Sequence, residues 1–285
     1  SWVKVLFANL GFPAHALTMT LECTRAVLQE TLPGEGADVA GAYIEIALAS
    51  VQQTPSDIAS FIQPDAPLYE LARAYLDALL RGARDEASER ILNAVAEGVH
   101  VRDIYRHVFQ TTQHEIGRLW QTNRISVAQE HYCSAATQLI MSQLYPHIFT
   151  TERIGRRMVA ACVGQELHEL GIRMVADFFE IAGWDTYYLG ANTPTDSILQ
   201  ALAEREAEVL AISATITTHV SNVVDLIDRV HASEMGAGVR ILVGGYPFNV
   251  SPTLWRRVAA DGYAPDAQQA IEVATALLAE GDGAQ

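Results

Sequence analysis

A helical first part followed by a five-stranded, doubly wound parallel sheet is the fold class that these 285 residues predict. Three observations carry that expectation. Apolar residues recur at helical spacing, with proline and glycine stops, from about residue 14 to residue 148. From residue 156 onward, short apolar runs alternate with amphipathic stretches. The length itself suggests about two domains at roughly 150 residues each. Hydrophobic residues make up 49% of the chain and charged residues 19%, enough apolar material for packed cores and too much for a disordered chain. Nineteen basic against 34 acidic residues leave a net charge of -15. Such a surface repels phosphate backbones and anionic lipid, so nucleic acid and membrane are excluded as general partners.

The helices follow in order. Ala14 to Gln29 reads as one, stopped by Thr31-Leu32-Pro33-Gly34, and Asp38 to Gln53 as the next. Pro55, Pro64 and Pro67 punctuate a linker. Leu68, Leu71, Ala72, Tyr75, Leu76 and Leu79 then form one stripe of a helix over 68–80. Asp85 to Gly98 and Arg102 to Trp120 follow, and Ser126 with Gln129 forms a capping box for a helix ending near Pro146. Residues 1–67 are thus a helical extension, and 68–150 a four-helix bundle.

The second half reads as β-α repeats over 156–279. Strands are expected at Met158–Val163, Asp185–Leu189, Glu208–Ser213, Val239–Val243 and Gly262–Ala264. The intervening helices are 172–182, 195–204, 217–234 and one from Ser251-Pro252 to Ala260, with a last helix capped by Asp266. Regular alternation of this kind means a parallel sheet with helices on both faces.

Cys23, Cys133 and Cys162 are scattered and form no C-x-x-C pair, which points to reduced thiols in a cytoplasmic protein. The uncharged stretch Val5–Leu21 contains Asn9, His15 and Gly11-Phe12-Pro13 and is too short to span a bilayer. His100, His107 and His114 recur every seven residues, too far apart along a helix for two of them to chelate one ion.

In a doubly wound sheet the ligand sits at the carboxyl ends of the strands, beside the point where strand order reverses. The loops expected there carry Glu166, His168 and Gly171, then Ser213 and Thr215, then Gly244 and Gly245. No G-x-G-x-x-G follows the first strand, so a nicotinamide or flavin dinucleotide is disfavoured. Glu166-x-His168-x-x-Gly171, Ser213-x-Thr215 and Gly244-Gly245 together resemble the Rossmann-like cobalamin-binding fold of methionine synthase, the corrinoid methyltransferases and the mutases. The resemblance implies that His168 is the lower axial ligand of cobalt. It also implies that Glu166 partners the other ring nitrogen, and that Ser213, Thr215, Gly244 and Gly245 line a slot for the nucleotide tail.

A second pattern lies in the helical half: Trp120, nine residues, then Glu130-His131. It resembles the cap of CarH-type cobalamin-dependent photoreceptors, and the chain as a whole resembles photocobilin-like members without a DNA-binding module. That likeness implies adenosylcobalamin, with Trp120, Glu130 and His131 around its adenosyl group, and a linear tetrapyrrole (biliverdin) as second chromophore. Gln121 stands where some members place a further histidine. The expectation is therefore a non-enzymatic light sensor whose cap moves on photolysis, changing a homo-oligomer or an effector interface. The alternatives are a corrinoid methyl carrier of a methyltransferase system and a cobalamin store or adaptor.

Overall fold

The computed structural model describes residues 2–55, 57–234 and 236–282. The chain divides into two compact units, Ser1–Ile140 and Met141–Gln285.

The first unit is helical. Helices α1 (Trp2–Asn9), α2 (Ala16–Thr31) and α3 (Gly34–Val51) form the extension. Helices α4 (Tyr69–Leu80), α5 (Arg84–Ala96), α6 (Val101–Asp103), α7 (Thr111–Gln121) and α8 (Val127–Gln143) follow, with a π-helical turn over Ile104–Gln110 joining α6 to α7. The stretch tested for a membrane span is broken between Asn9 and Ala16, with Gly11 in the left-handed region (φ +76°). Among the described residues no helix is long and apolar enough to cross a membrane. Helix α3 starts four residues before the expected Asp38, directly after Pro33, whose extended backbone makes it the N-cap residue. Cys23, on α2, is a free and exposed thiol.

Tyr75, Leu79, Ile91, Ile104, Tyr105, Phe109, Ile116 and Ile140 are fully buried and form the bundle core. Burying a tyrosine leaves a hydroxyl to satisfy, and Tyr75 meets Thr137 Oγ1 at 2.9 Å. Gln113 Nε2 donates to the same oxygen at 2.8 Å. The linker is tied down by a buried ion pair: Arg118 donates to Glu115 at 2.5 and 2.9 Å and to the Ile58 carbonyl, while Glu115 accepts the Phe61 amide. The capping box forms as expected, with Ser126 N donating to Gln129 Oε1 at 3.0 Å and Gln129 N to Ser126 Oγ at 3.2 Å.

The second unit opens with α9 (Tyr145–Ile148) and carries five parallel strands: β1 (Arg157–Cys162), β2 (Asp185–Gly190), β3 (Val209–Ser213), β4 (Arg240–Gly244) and β5 (Gly262–Tyr263). Their order is β2-β1-β3-β4-β5. Side chains alternate between faces. Val159, Ala161, Leu210, Ile212, Ile241 and Val243 face α11 (Thr195–Arg205) and α12 (Val220–His231). Met158, Ala160, Cys162, Val209, Ala211 and Leu242 face α10 (Leu170–Ile181) and α15 (Ala267–Asp282).

In the second unit two elements differ from expectation. A 3-10 turn, Thr217–His219, precedes α12. The single helix expected from Ser251 is replaced by α13 (Tyr246–Val250) and α14 (Leu254–Arg257). Helix α13 starts directly at Gly245 with Pro247 in its first turn, so Ser251 ends a helix instead of capping one. Asp266 does cap α15, accepting the Gln269 amide at 2.9 Å.

Candidate functional site

Strands β1 and β3 are neighbours, yet the chain leaves β1 toward β2 and leaves β3 toward β4. Their carboxyl ends therefore flank the crevice where such sheets take ligands. The loops after β1, β3 and β4 converge there, and one side chain ties the first two together. Glu166 is fully buried. Its Oε1 accepts the His168 amide at 3.0 Å and faces His168 Nδ1 at 2.6 Å. Its Oε2 accepts the Thr215 amide at 2.6 Å and the Ile216 amide at 3.0 Å, and faces His219 Nδ1 at 3.0 Å. Burial alone raises a carboxyl's pKa, but the bonds from His168, Thr215 and Ile216 outweigh it and hold Glu166 far below the usual carboxylate range. An ionised carboxylate accepts only, so both facing Nδ1 atoms carry their protons. For His168 that makes Nε2 the metal-binding nitrogen. Its side chain is 57% exposed, so the ring stands out from the loop.

The loop is held from other sides as well. Gln165, in the left-handed region, donates its amide to Asn192 Oδ1 at 2.7 Å, and Asn222 reaches the Gly164 carbonyl at 2.8 Å. Cys162 lies beneath it, its Sγ 3.7 Å from the His168 carbonyl. Burial, helped by Glu166 and Glu169, pushes its thiol up to about 12, so it offers no thiolate to a metal.

The remaining loops are built for close approach. Gly245 has φ +99°, and a Cβ there would stand 2.1 Å from the Ala214 carbonyl oxygen. Ala214 N in turn donates to Gly244 O at 3.2 Å, locking the β3 and β4 loops together. Ser213 is buried at the end of β3. Gly171, in the first turn of α10, has nothing within 4 Å of its missing Cβ. One exposed imidazole with a fixed tautomer, on a loop clamped by a buried carboxylate, fits a cofactor that brings its own metal. Among the described residues no three His, Cys, Asp or Glu side chains are grouped to hold a bare ion, and His100, His107 and His114 do not form one.

His219 is the site residue that the sequence reading missed. It belongs to neither the E-x-H nor the S-x-T pattern; the only signal is a histidine in the turn after β3. Trp120 lies at the end of α7, and Glu130 and His131 lie at the start of α8. Trp120 is 44% exposed. Glu130 and His131 bond each other at 2.5 Å, and Ser134 Oγ donates to Glu130 at 2.9 Å.

Comparison with known proteins agrees on the cofactor. Residues 156–272 match a family described as a B12 binding domain, and residues 71–145 match a second family of that description. These matches support cobalamin as the ligand. Dimethylamine corrinoid protein 2 of Methanosarcina acetivorans is 24% identical, over 73% of this chain and 96% of its own length. The trimethylamine corrinoid protein of Methanosarcina barkeri is 23% identical, over 68% of this chain and 90% of its own. The solved structure of the Methanosarcina barkeri monomethylamine corrinoid protein superposes with a TM-score of 0.66 at 23% identity, covering 74% of this chain and 99% of that one, and so shares the fold.

These similarities overturn the photoreceptor expectation. The relatives are corrinoid proteins named for methylamines, not CarH-type or photocobilin-like light sensors. Light sensing, adenosylcobalamin and a bilin lose their support. The Trp120, Glu130 and His131 pattern alone does not carry the photoreceptor expectation against these relatives.

Proposed function

We propose that the chain is a corrinoid methyl carrier: it binds cobalamin and presents a methyl group to partner methyltransferases, itself catalysing nothing. The observation that carries this reading is the similarity to methylamine corrinoid proteins over nearly their whole length. The Glu166–His168 pair at the switch point supports it independently. Bound cobalamin supplies a cobalt that takes up and releases a methyl group. The protein's residues do the rest. His168 would hold the cobalt through Nε2, with its ring oriented by Glu166. Ser213, Thr215, Gly244, Gly245 and Gly171 would be the loop residues in contact with the rest of the cofactor. Trp120, Glu130 and His131 are the helical unit's candidate contacts with the cofactor, within a division into 1–67, 68–150 and 156–279.

The test loads the full chain with cobalamin, reduces it, methylates it chemically, and adds a corrinoid-dependent methyltransferase with a thiol acceptor. The methyl group is expected to leave only when the partner enzyme is present. Tight binding of cobalamin with no transfer to any such enzyme would overturn the carrier reading.

A further inference from the structure

Helices in proteins are held mainly by what they pack against, and the extension offers little packing of its own. Helix α4, 12 residues long, buries Ala72, Tyr75, Leu76, Ala78 and Leu79. Helices α2 and α3, 16 and 18 residues long, bury one residue each, Ala16 and Ile44. Helix α1 packs on α2, and Lys4 donates to the Val51 and Thr54 carbonyls at the end of α3, at 3.0 and 2.7 Å, so part of the hairpin is covered. The rest is open. Met19 and Val27 on α2, and Val39, Tyr43 and Ile46 on α3, are each more than half exposed. Along α2 runs an open groove lined by Met19, Thr20, Cys23, Thr24, Val27 and Leu28, with no charged residue in it. Thr20 and Thr24 donate their hydroxyl hydrogens to the Ala16 and Thr20 carbonyls of their own helix, at 2.9 and 2.8 Å, so the groove needs no outside acceptor for them. The B12 family matches, over 71–145 and 156–272, do not reach this segment.

We propose that the α2–α3 hairpin is a dimerisation surface whose occupant is the same hairpin of a second copy, with α2 lying antiparallel across α2. Three observations select that occupant. The first is area. The five exposed side chains present about 500–600 Å² of surface, close to the apolar share of the roughly 800 Å² that each partner gives to a standard interface. The second is register. Met19, Cys23 and Val27 are four residues apart on one ridge of the helix. A two-fold axis at Cys23 therefore sets Met19 against the partner's Val27, Val27 against the partner's Met19, and Cys23 against its own copy. The third is charge. In that register Glu22 lies opposite the partner's Thr24, Arg25 opposite the partner's Leu21, and Glu30 opposite the partner's Ala16. No acidic side chain of α2 meets another, even though each chain carries a net charge of -15. A lipid surface suits the face less well, because α2 and α3 together carry Glu22, Glu30, Glu35, Asp38 and Glu45 against Arg25 as their one basic residue.

The full chain, free of cobalamin, tests this in two ways. Analytical ultracentrifugation from 1 to 100 μM reads self-association, and mild oxidation reads the register. Wild type should sediment as a dimer. Oxidation should link it through Cys23, since Cys133 and Cys162 are buried, and Cys23→Ser should remain unlinked. Val27→Glu, which puts a carboxylate into the groove, should weaken self-association at least about 100-fold with helix content unchanged by circular dichroism. Should that variant fail to fold, the wild-type cross-link still decides. A wild type that stays monomeric at 100 μM would overturn the proposal. So would a dimer that forms no Cys23 link, or one that survives Val27→Glu, since the contact would then lie elsewhere on the chain. Monomers that collect instead on phosphatidylcholine vesicles would assign the hairpin to a lipid surface and overturn it too. None of these outcomes bears on the carrier reading, which is tested by methyl transfer.

Discussion

At the scale of single residues, the site depends on one buried carboxylate remaining charged. The folded pKa of Glu166 is depressed well below the ordinary value of 4.5. A depressed carboxyl contributes stability that is fully present above its unfolded pKa and is lost as pH falls toward the folded one. The second unit should therefore hold its stability from neutral pH down to about 4.5 and lose it progressively below, as read by thermal melts across pH. Glu166→Gln should remove that slope. It should also destabilise the loops by about 1–3 kcal/mol, because an amide N–H₂ then faces donors on one side. His168→Ala has a different signature. It leaves the fold's melting temperature nearly unchanged, since the ring is more exposed than buried. It should convert bound cobalamin to a spectrum without imidazole on cobalt; an unchanged spectrum would remove His168 as the ligand.

At the scale of elements, the turn between β4 and α13 is the least tolerant of change. Gly245 combines a left-handed backbone with contact against the Ala214 backbone, and neither neighbour is a flexible side-chain end. Gly245→Ala should cost at least about 2 kcal/mol, seen as a lowered denaturation midpoint. Ser126→Ala, which deletes half of the capping box, should cost about 1 kcal/mol and act on the helical unit. Both positions were legible in the sequence: a Gly pair after a strand, and serine three residues before glutamine. The strand order and the meeting of three loops were legible for the same reason, since β-α alternation permits few topologies. What was not legible depended on contacts between distant residues. His219 is 53 residues from Glu166, and no local pattern announces that pairing. The break between α13 and α14 depends on Gly245 capping a helix six residues earlier than the Ser251-Pro252 signal suggested. The likeness of the Trp120, Glu130 and His131 pattern to a photoreceptor cap misled for a related reason. Spacing placed the three at one helix junction, but spacing does not say what a glutamate beside a histidine is bonded to.

At the scale of the whole molecule, the question is what a cobalamin carrier must do that a cobalamin sensor need not. A carrier must exchange its upper ligand with other proteins, so it needs a lower ligand that is held firmly but not irreversibly. The Glu166–His168 pair suits that demand, because the carboxylate sets how basic His168 Nε2 is while staying charged itself. The acidic surface, with a net charge of -15, bears on the partners. It will repel acidic proteins at long range and favour enzymes that present a basic face, an effect that salt screens over about 10 Å at 0.1 M. On the proposed carrier reading, methyl transfer to a partner enzyme should therefore slow as ionic strength rises, mainly through the association step, with little change in the rate once the complex has formed. Single-turnover transfer measured across salt concentrations separates the two. A transfer rate that rises with salt would mean that the docking face is an uncharged patch and that the net charge opposes the encounter. A rate independent of salt would mean that the charge lies away from the docking face altogether.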